Sequence, residues 1–364
     1  METISFARGI PAPQLLPIAE LADCARAAIE RDGTTVLNYG AGGGYGPLRD
    51  WIAERHGVDR ERVVLTNGSL QGLAFLAARL APRGRVLVER PTYDRPLKLL
   101  AELGAHVGRV PLDEEGLDVD ALEAELRRGP PASFLYTIPT FQNPSGRTLS
   151  TERRRRLVEL AREHELLIVE DDPYGLVRFE GEAAPTVFEL AGRDGVVYGS
   201  SFSKTIAPGA RVGYLVLPVD LAAAVTASAT ATYITPSLIG EAAVFEFLRR
   251  GLLEPNLERV CAELRARRDA MLAALERELG DSARWSRPAG GYFLWLELGA
   301  AVDAQELLGR AEPAGVTFVP GSDFGGPPNS LRLAFSFADV DAIAEGIGRL
   351  ASLVPAAASV QLAQ

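Results

Sequence analysis

The chain has 364 residues, 47% of them hydrophobic, enough to bury one large core and a second, smaller one. Its formal net charge of −10 argues against a phosphate-tracking surface, which needs a basic excess, so nucleic acid is not an expected partner. No apolar stretch is long enough to span a bilayer, Met1 to Pro17 carry no leader pattern, and the two cysteines, Cys24 and Cys261, stand outside any metal-ligand spacing. A cytoplasmic protein is expected, with no membrane contact, disulfide frame or metal.

In chain order, short aliphatic and β-branched runs occur at Val63 to Thr66, Val86 to Glu89, Ser133 to Thr137, Leu166 to Glu170, Val196 to Gly199 and Val212 to Leu217. Between them, apolar residues recur every three or four positions at Leu70 to Leu80, Arg95 to Leu103, Val119 to Arg127 and Glu152 to Glu165. That alternation predicts βα units on a mostly parallel sheet covered on both faces, over 35–250. Arg153 to Arg156 fall on the last of these helices among Glu152, Glu159 and Glu163 and read as a solvated face. A long charged helix is predicted from Pro255 to Leu279, followed by strands at Tyr292 to Leu298, Val316 to Val319 and Leu331 to Phe335. These form a smaller α+β domain over 251–364, with residues 1–34 expected to pack against it and Leu353 to Gln364 expected to fray.

Ligands of open α/β sheets bind beyond the carboxyl ends of the strands, and here those positions are polar. After the first strand, Thr66-Asn67-Gly68-Ser69 reads either as an ordinary N-cap or as a helix start suited to a phosphate. Glu89-Arg90-Pro91-Thr92-Tyr93 delivers an aromatic ring to the same edge, for stacking on a flat cofactor or for the core. Ile138 to Gly146 presents the amides of Gln142 and Asn143 on a loop stiffened by two prolines. Glu170-Asp171-Asp172 is an acidic cluster at a strand end, either exposed to solvent, held in a structural ion pair, or balanced by a cationic ligand. Lys98 and Lys204 are the only lysines. Lys98 sits on an amphipathic helix, whereas Lys204 lies just past a strand in Gly199 to Tyr214, between hydroxyls and Arg211. That string joins a potential carbonyl-attacking amine to a potential phosphate clamp.

Taken together, Tyr136 to Gly146, Glu170 to Tyr174 and Gly199 to Tyr214 resemble the fold type I pyridoxal-phosphate (PLP) enzymes of the class I/II aminotransferase family, in its aminoadipate and aromatic aminotransferase-like branch. The resemblance runs from Ile4 to about Phe337. It implies a large domain with a mostly parallel seven-stranded sheet sandwiched by helices, a smaller α+β domain, PLP as cofactor, and amino transfer between an α-amino acid and a 2-oxo acid. Lys204 would carry the cofactor as a Schiff base and, once released, move the proton at the substrate α-carbon. Asp171 would hold the pyridine nitrogen protonated. Asn143 and Tyr174 would bond the phenolic oxygen, and Tyr93 would stack on the ring. Ser69, the backbone N–H of Leu70, Ser201, Ser203 and Arg211 would hold the phosphate, joined by Tyr39 from the partner subunit of a homodimer with shared active sites. Arg332 would pair with the substrate α-carboxylate.

The chain departs from this pattern at three places. Leu70 stands where relatives commonly carry the first of two glutamines, leaving only Gln71. Arg8, in Phe6 to Pro11, replaces the first of two glycines that usually line the substrate pocket; Arg8 and Gly9 are therefore expected at the substrate, with Arg8 either facing the pocket and favouring an anionic side chain or packing toward solvent. The short N-terminal stretch implies a wider or differently gated pocket. The same scaffold also supports β- or γ-elimination or replacement, decarboxylation and carbon–carbon bond formation in biosynthesis, which the motifs do not separate from transamination. A ligand-sensing transcription regulator would need an N-terminal helix-turn-helix region. Gly42 to Gly44 do not form a dinucleotide fingerprint, and none of His56, His106 and His164 falls at a strand end.

Overall fold

The computed structural model describes residues 2–355. The tail expected to fray lies, from residue 356 on, outside the described residues. The larger sheet runs, in spatial order, Val63–Thr66, Gly213–Val216, Val196–Ser201, Leu167–Asp171, Ala132–Thr137, Arg85–Arg90, Val107–Asp113 and the two-residue strand Gly116–Leu117. The five strands from Val196–Ser201 to Val107–Asp113 pair in parallel, while Gly213–Val216 is antiparallel to both its neighbours and Gly116–Leu117 folds back on Val107–Asp113. Seven strands therefore form the sheet proper, and the two-residue hairpin arm is an eighth.

Alternation along each strand sorts the apolar side chains onto two faces. Val63, Leu65, Leu87, Leu135, Ile168 and Val196 enter one core, beneath Gly46–His56, Val119–Arg128, Thr151–Glu163 and Leu238–Arg249. Val64, Val88, Phe134, Val169, Val197 and Leu215 enter the other, beneath Ser69–Leu80, Asp94–Glu102 and Val219–Tyr233. A sheet buried on both faces directs its ligands to the strand ends.

A second sheet, antiparallel in the order Arg284–Trp285, Phe293–Glu297, Ser330–Ala334, Val319–Pro320, shares a separate core with Leu253–Glu278, Ala304–Ala311 and Val340–Ser352. The single strand expected at Val316 to Val319 is divided. Val316–Thr317 pairs in parallel with Ile4–Ser5, and Val319–Pro320 turns to the four-stranded sheet. Leu253 belongs to the larger core and Val260 onward to the smaller, so the helix Leu253–Glu278 bridges the two.

Residues 1–34 do not pack as one piece with the smaller unit. Ile4, Phe6, Ala12 and Leu15 do so, but Ile18–Val36 buries Cys24, Ala28 and Val36 in the larger core. The division follows the apolar stripe of that helix, which matches Leu238–Arg249. The strand Val107–Asp113 escaped the sequence reading because only Val110 of its residues is fully buried, and Gly108 and Pro111 interrupt the pattern. Val219–Tyr233 escaped because its small residues form no strong apolar stripe.

The arginine run Arg153 to Arg156 is not the uniformly solvated face expected from the sequence. Arg155 is exposed, but Arg154 is completely buried, donating to the carbonyls of Leu149, Pro139 and Pro185 and to Thr140 Oγ1, with Glu170 4.0 Å away. It ties the loop after Ala132–Thr137 to the helix beside it, a task its neighbours face away from. Arg154→Ala is expected to cost about 3–5 kcal/mol, because it strands a buried carboxylate and several carbonyls. Arg155→Ala should change stability by less than about 0.5 kcal/mol, and urea unfolding of both variants compares them.

Candidate active site

The carboxyl ends of the parallel strands and the edge of the smaller core enclose a cleft of about 370 Å³. It is lined by Ser69, Leu70, Tyr93, Asn143, Asp171, Tyr174, Ser201, Ser203, Lys204 and Arg211, and by Gly9, Phe293 and Arg332. Every residue expected from the resemblance to hold cofactor or substrate lines it except Tyr39 and Arg8.

Strand alternation splits the three acids after Leu167. Glu170 accepts from the backbone N–H groups of Val187 and Phe188, at 3.0 and 2.8 Å, where a helix begins. Asp172 accepts from Tyr198 Oη at 2.9 Å and from the N–H of Gly175 at 2.8 Å. Asp171, between them, points to the cleft. Its Oδ2 accepts from Tyr136 Oη at 2.6 Å, while its Oδ1 is buried without a donor. Burial, opposed by the Tyr136 hydrogen bond and reinforced by Asp172, raises the Asp171 carboxyl to about 6. A buried acceptor with no donor among the described residues suits a protonated ring nitrogen.

Lys204 Nζ donates to the carbonyl of Gly9 at 2.6 Å and stands 5.2 Å from the ring centre of Tyr292, whose hydroxyl donates to the Lys204 carbonyl. Burial lowers its ammonium to about 8, helped by the cations of Arg332 and Arg211. A neutral amine at that position is a competent nucleophile. Gly9 is required where it stands, since a Cβ there would come within 2.6 Å of the Phe293 ring.

Arg332 is buried between the rings of Phe293 and Phe324, 4.1 and 4.8 Å from its Cζ. Its Nη1 donates to Asn143 Oδ1 at 3.0 Å and its Nη2 to the carbonyl of Ala7 at 2.9 Å, while Nε has no acceptor. Among the described residues no carboxylate forms a salt bridge with it. Desolvation lowers its guanidinium to about 10. A buried cation facing neutral acceptors invites an anionic ligand.

The phosphate cradle expected from the sequence comes together at the start of Ser69–Leu80. Gly68 precedes it at φ 89°, and Gly213 passes so close beneath that a Cβ there would lie 2.3 Å from the Ser69 nitrogen. Arg211, itself at φ 54°, donates from Nη2 to the Asn67 carbonyl at 2.8 Å. Gln71 turns back to accept from the Asn67 N–H, so the change at Leu70 leaves only backbone and the Ser69 hydroxyl for an anion. With hydroxyls at Ser201 and Ser203 beside Arg211, the residues present fit PLP along its whole length.

Arg8 does not face the cleft. It is exposed, with its guanidinium 4.8 Å from the centre of the Phe337 ring. The backbone pairing of Ile4–Ser5 and the bend at Phe6 and Ala7 deliver Ala7 and Gly9 to the site and carry Arg8 outward. Tyr39 is 76% exposed and lies outside its own chain's cleft. Two residues given no role from the sequence prove to organise the site. Tyr136 holds Asp171, and buried Glu89 accepts from Thr137 Oγ1, the Ile138 N–H and Gln142 Nε2, bracing the loop that carries Asn143. Burial pushes the Glu89 carboxyl up to about 7. Its position at a strand end was the available signal.

Residues 14–350 match the family model for aminotransferase class I and II. The chain is 41% identical over 355 residues to a 2-aminoadipate transaminase of Thermus thermophilus, covering 95% of this chain and 89% of that one. It is 33% identical to aromatic-amino-acid aminotransferase 1 of Thermococcus litoralis, covering 97% and 88%. Among solved structures, the α-aminoadipate aminotransferase of Thermus thermophilus in complex with N-(5′-phosphopyridoxyl)-L-leucine superposes with a TM-score of 0.92 at 38% identity, over 97% of this chain and 92% of that one. The kynurenine aminotransferase of Pyrococcus horikoshii, in complex with pyridoxamine phosphate, gives 0.93 at 34% identity, over 97% and 91%. The chain belongs to the class I and II aminotransferase family, as a PLP-dependent enzyme that transfers amino groups between amino acids and 2-oxo acids.

Proposed function

We propose that Lys204, Asp171 and Arg332 carry this transamination, and that the observation bearing most weight is the buried, carboxylate-free guanidinium of Arg332 in the cleft that holds the Lys204 amine. Bound in the cleft, PLP supplies a carbonyl for the amino group and a ring that withdraws electrons from the substrate α-carbon. Arg332 receives the substrate α-carboxylate, and Asn143, held on Nη1, fixes the guanidinium plane. Lys204 Nζ holds the cofactor and then takes up and returns the α-carbon proton, a role served by an amine lowered to about 8. Asp171 Oδ1 pairs with the ring nitrogen. Asn143 and Tyr174 serve the phenolic oxygen, and Tyr93 covers the ring. Ser69, Leu70, Ser201, Ser203 and Arg211 take the phosphate.

Tyr39, exposed on its own subunit, reaches the phosphate of a second copy in this reading, so the working unit is a homodimer with shared sites in the cytoplasm. Among the described residues no helix is long and apolar enough to cross a membrane. Since Arg8 faces away, side-chain preference is assigned instead to Asp94 and Arg95, charged residues in the cleft wall at the start of Asp94–Glu102.

Three outcomes test the reading. Uptake of PLP by the apoprotein, followed by absorbance, should accelerate with pH and level off above about 8; an unshifted lysine would still be accelerating toward 10.5. Arg332→Ala should raise KM for the amino acid by roughly a hundredfold, and Arg332→Lys should not restore it, because the ammonium lacks the planar two-point donor. The half-reaction with an amino-acid panel, scored by matched pyridoxamine and 2-oxo acid yields, measures this. In the same panel Arg8→Gly should leave the order of preference unchanged.

A further inference from the structure

We infer that Tyr136 is a positioning residue that sets where the proton lies between Asp171 and the cofactor ring nitrogen. The inference rests on the proposed pairing of Asp171 Oδ1 with that nitrogen. Tyr136 stands in Ala132–Thr137 opposite Val169 of Leu167–Asp171, and period-two alternation places Asp171 on the same face as Val169. The tyrosine is 1% exposed, and its hydroxyl spends its one proton on Asp171 Oδ2 at 2.6 Å. The carboxylate is thereby held by Oδ2, and its buried Oδ1, without a donor among the described residues, belongs to a residue that lines the cleft.

The titratable groups around Asp171 are Tyr136, Tyr93, Tyr174, Glu89 and Asp172, none of them cationic. Burial and Asp172 both favour the protonated acid, and the Tyr136 hydrogen bond is what opposes them. One proton is shared between the carboxyl and the ring nitrogen in either arrangement. A donor on Oδ2 makes the carboxyl the weaker base, so the proton stays on nitrogen. Removing the hydroxyl moves it back toward Asp171.

Ring-15N PLP bound to the protein reads this distribution directly. In the wild-type protein the 15N signal should sit at the pyridinium position. In Tyr136→Phe it should move toward neutral pyridine, reflecting a roughly ten- to hundredfold change in the proton equilibrium, the size of one hydrogen bond to a charged group. An unmoved signal overturns the inference, since a merely structural role would change melting temperature without changing the 15N shift. Should Tyr136→Phe not fold, p-aminophenylalanine at position 136 keeps the size and a weaker donor, and a smaller shift in the same direction is expected, with no shift overturning the inference. Asp171→Ala at saturating cofactor separates the two readings. If its signal remains pyridinium, Asp171 is not the counterion and the underlying assignment fails. If its signal moves while that of Tyr136→Phe does not, Tyr136 alone is wrongly assigned.

Discussion

Asp171 keeps one oxygen on the Tyr136 hydroxyl and leaves the other buried without a donor, at the end of the middle strand of the large sheet. Burying a carboxylate so incompletely satisfied is unfavourable where no described residue pairs it with a cation, and the surroundings show how the fold accommodates it. The acids on either side are each satisfied on the opposite face, Glu170 by two N–H groups of a helix start and Asp172 by Tyr198 and Gly175. Only the central one is left for a ligand, so a row of three acids yields a single site.

The same logic applies, with the sign of charge reversed, at the two buried cations. Lys204 and Arg332 are both desolvated, and both donate to backbone carbonyls of the segment Ala7 to Gly9. That segment is held by the strand Ile4–Ser5 against Val316–Thr317, so the smaller core fixes the roof of a cleft whose floor belongs to the larger one. Neutral carbonyls are weak partners for two buried cations: an incoming carboxylate is a strong one for Arg332, and an amine lowered to about 8 readily turns neutral for bonding to a carbonyl. The site is electrostatically incomplete in the direction of its ligands.

Support beneath the cleft is as specific as the cleft itself. Glu89 gathers Thr137, Ile138 and Gln142, and Arg154 gathers the carbonyls of Pro139 and Leu149, so the loop bearing Asn143 is clamped at two points on the sheet face that Thr151–Glu163 covers. Asn143 can then hold the Arg332 guanidinium across the gap between the cores. A side chain kept this firmly presents its oxygen at a fixed angle, which two-point recognition of a carboxylate requires.

Local order was readable from residues alone: the alternating strands and helices, the polar strand ends, and one lysine among hydroxyls beside an arginine, because periodicity and turn chemistry are short-range properties of the chain. The resemblance of three motifs added the cofactor and the role proposed for each side chain. Contacts joining distant parts of the chain were decided only by the tertiary structure. Gly9 meets Lys204 and Asn143 meets Arg332 across separations of 195 and 189 residues, and Arg8 is turned outward by a strand pairing no local pattern announces. The helix Ile18–Val36 joined the larger core for the same reason, as did Arg154 in leaving solvent while Arg155 remained in it. Which face of an element is buried depends on the partner it meets, and that partner is supplied by packing of the whole chain.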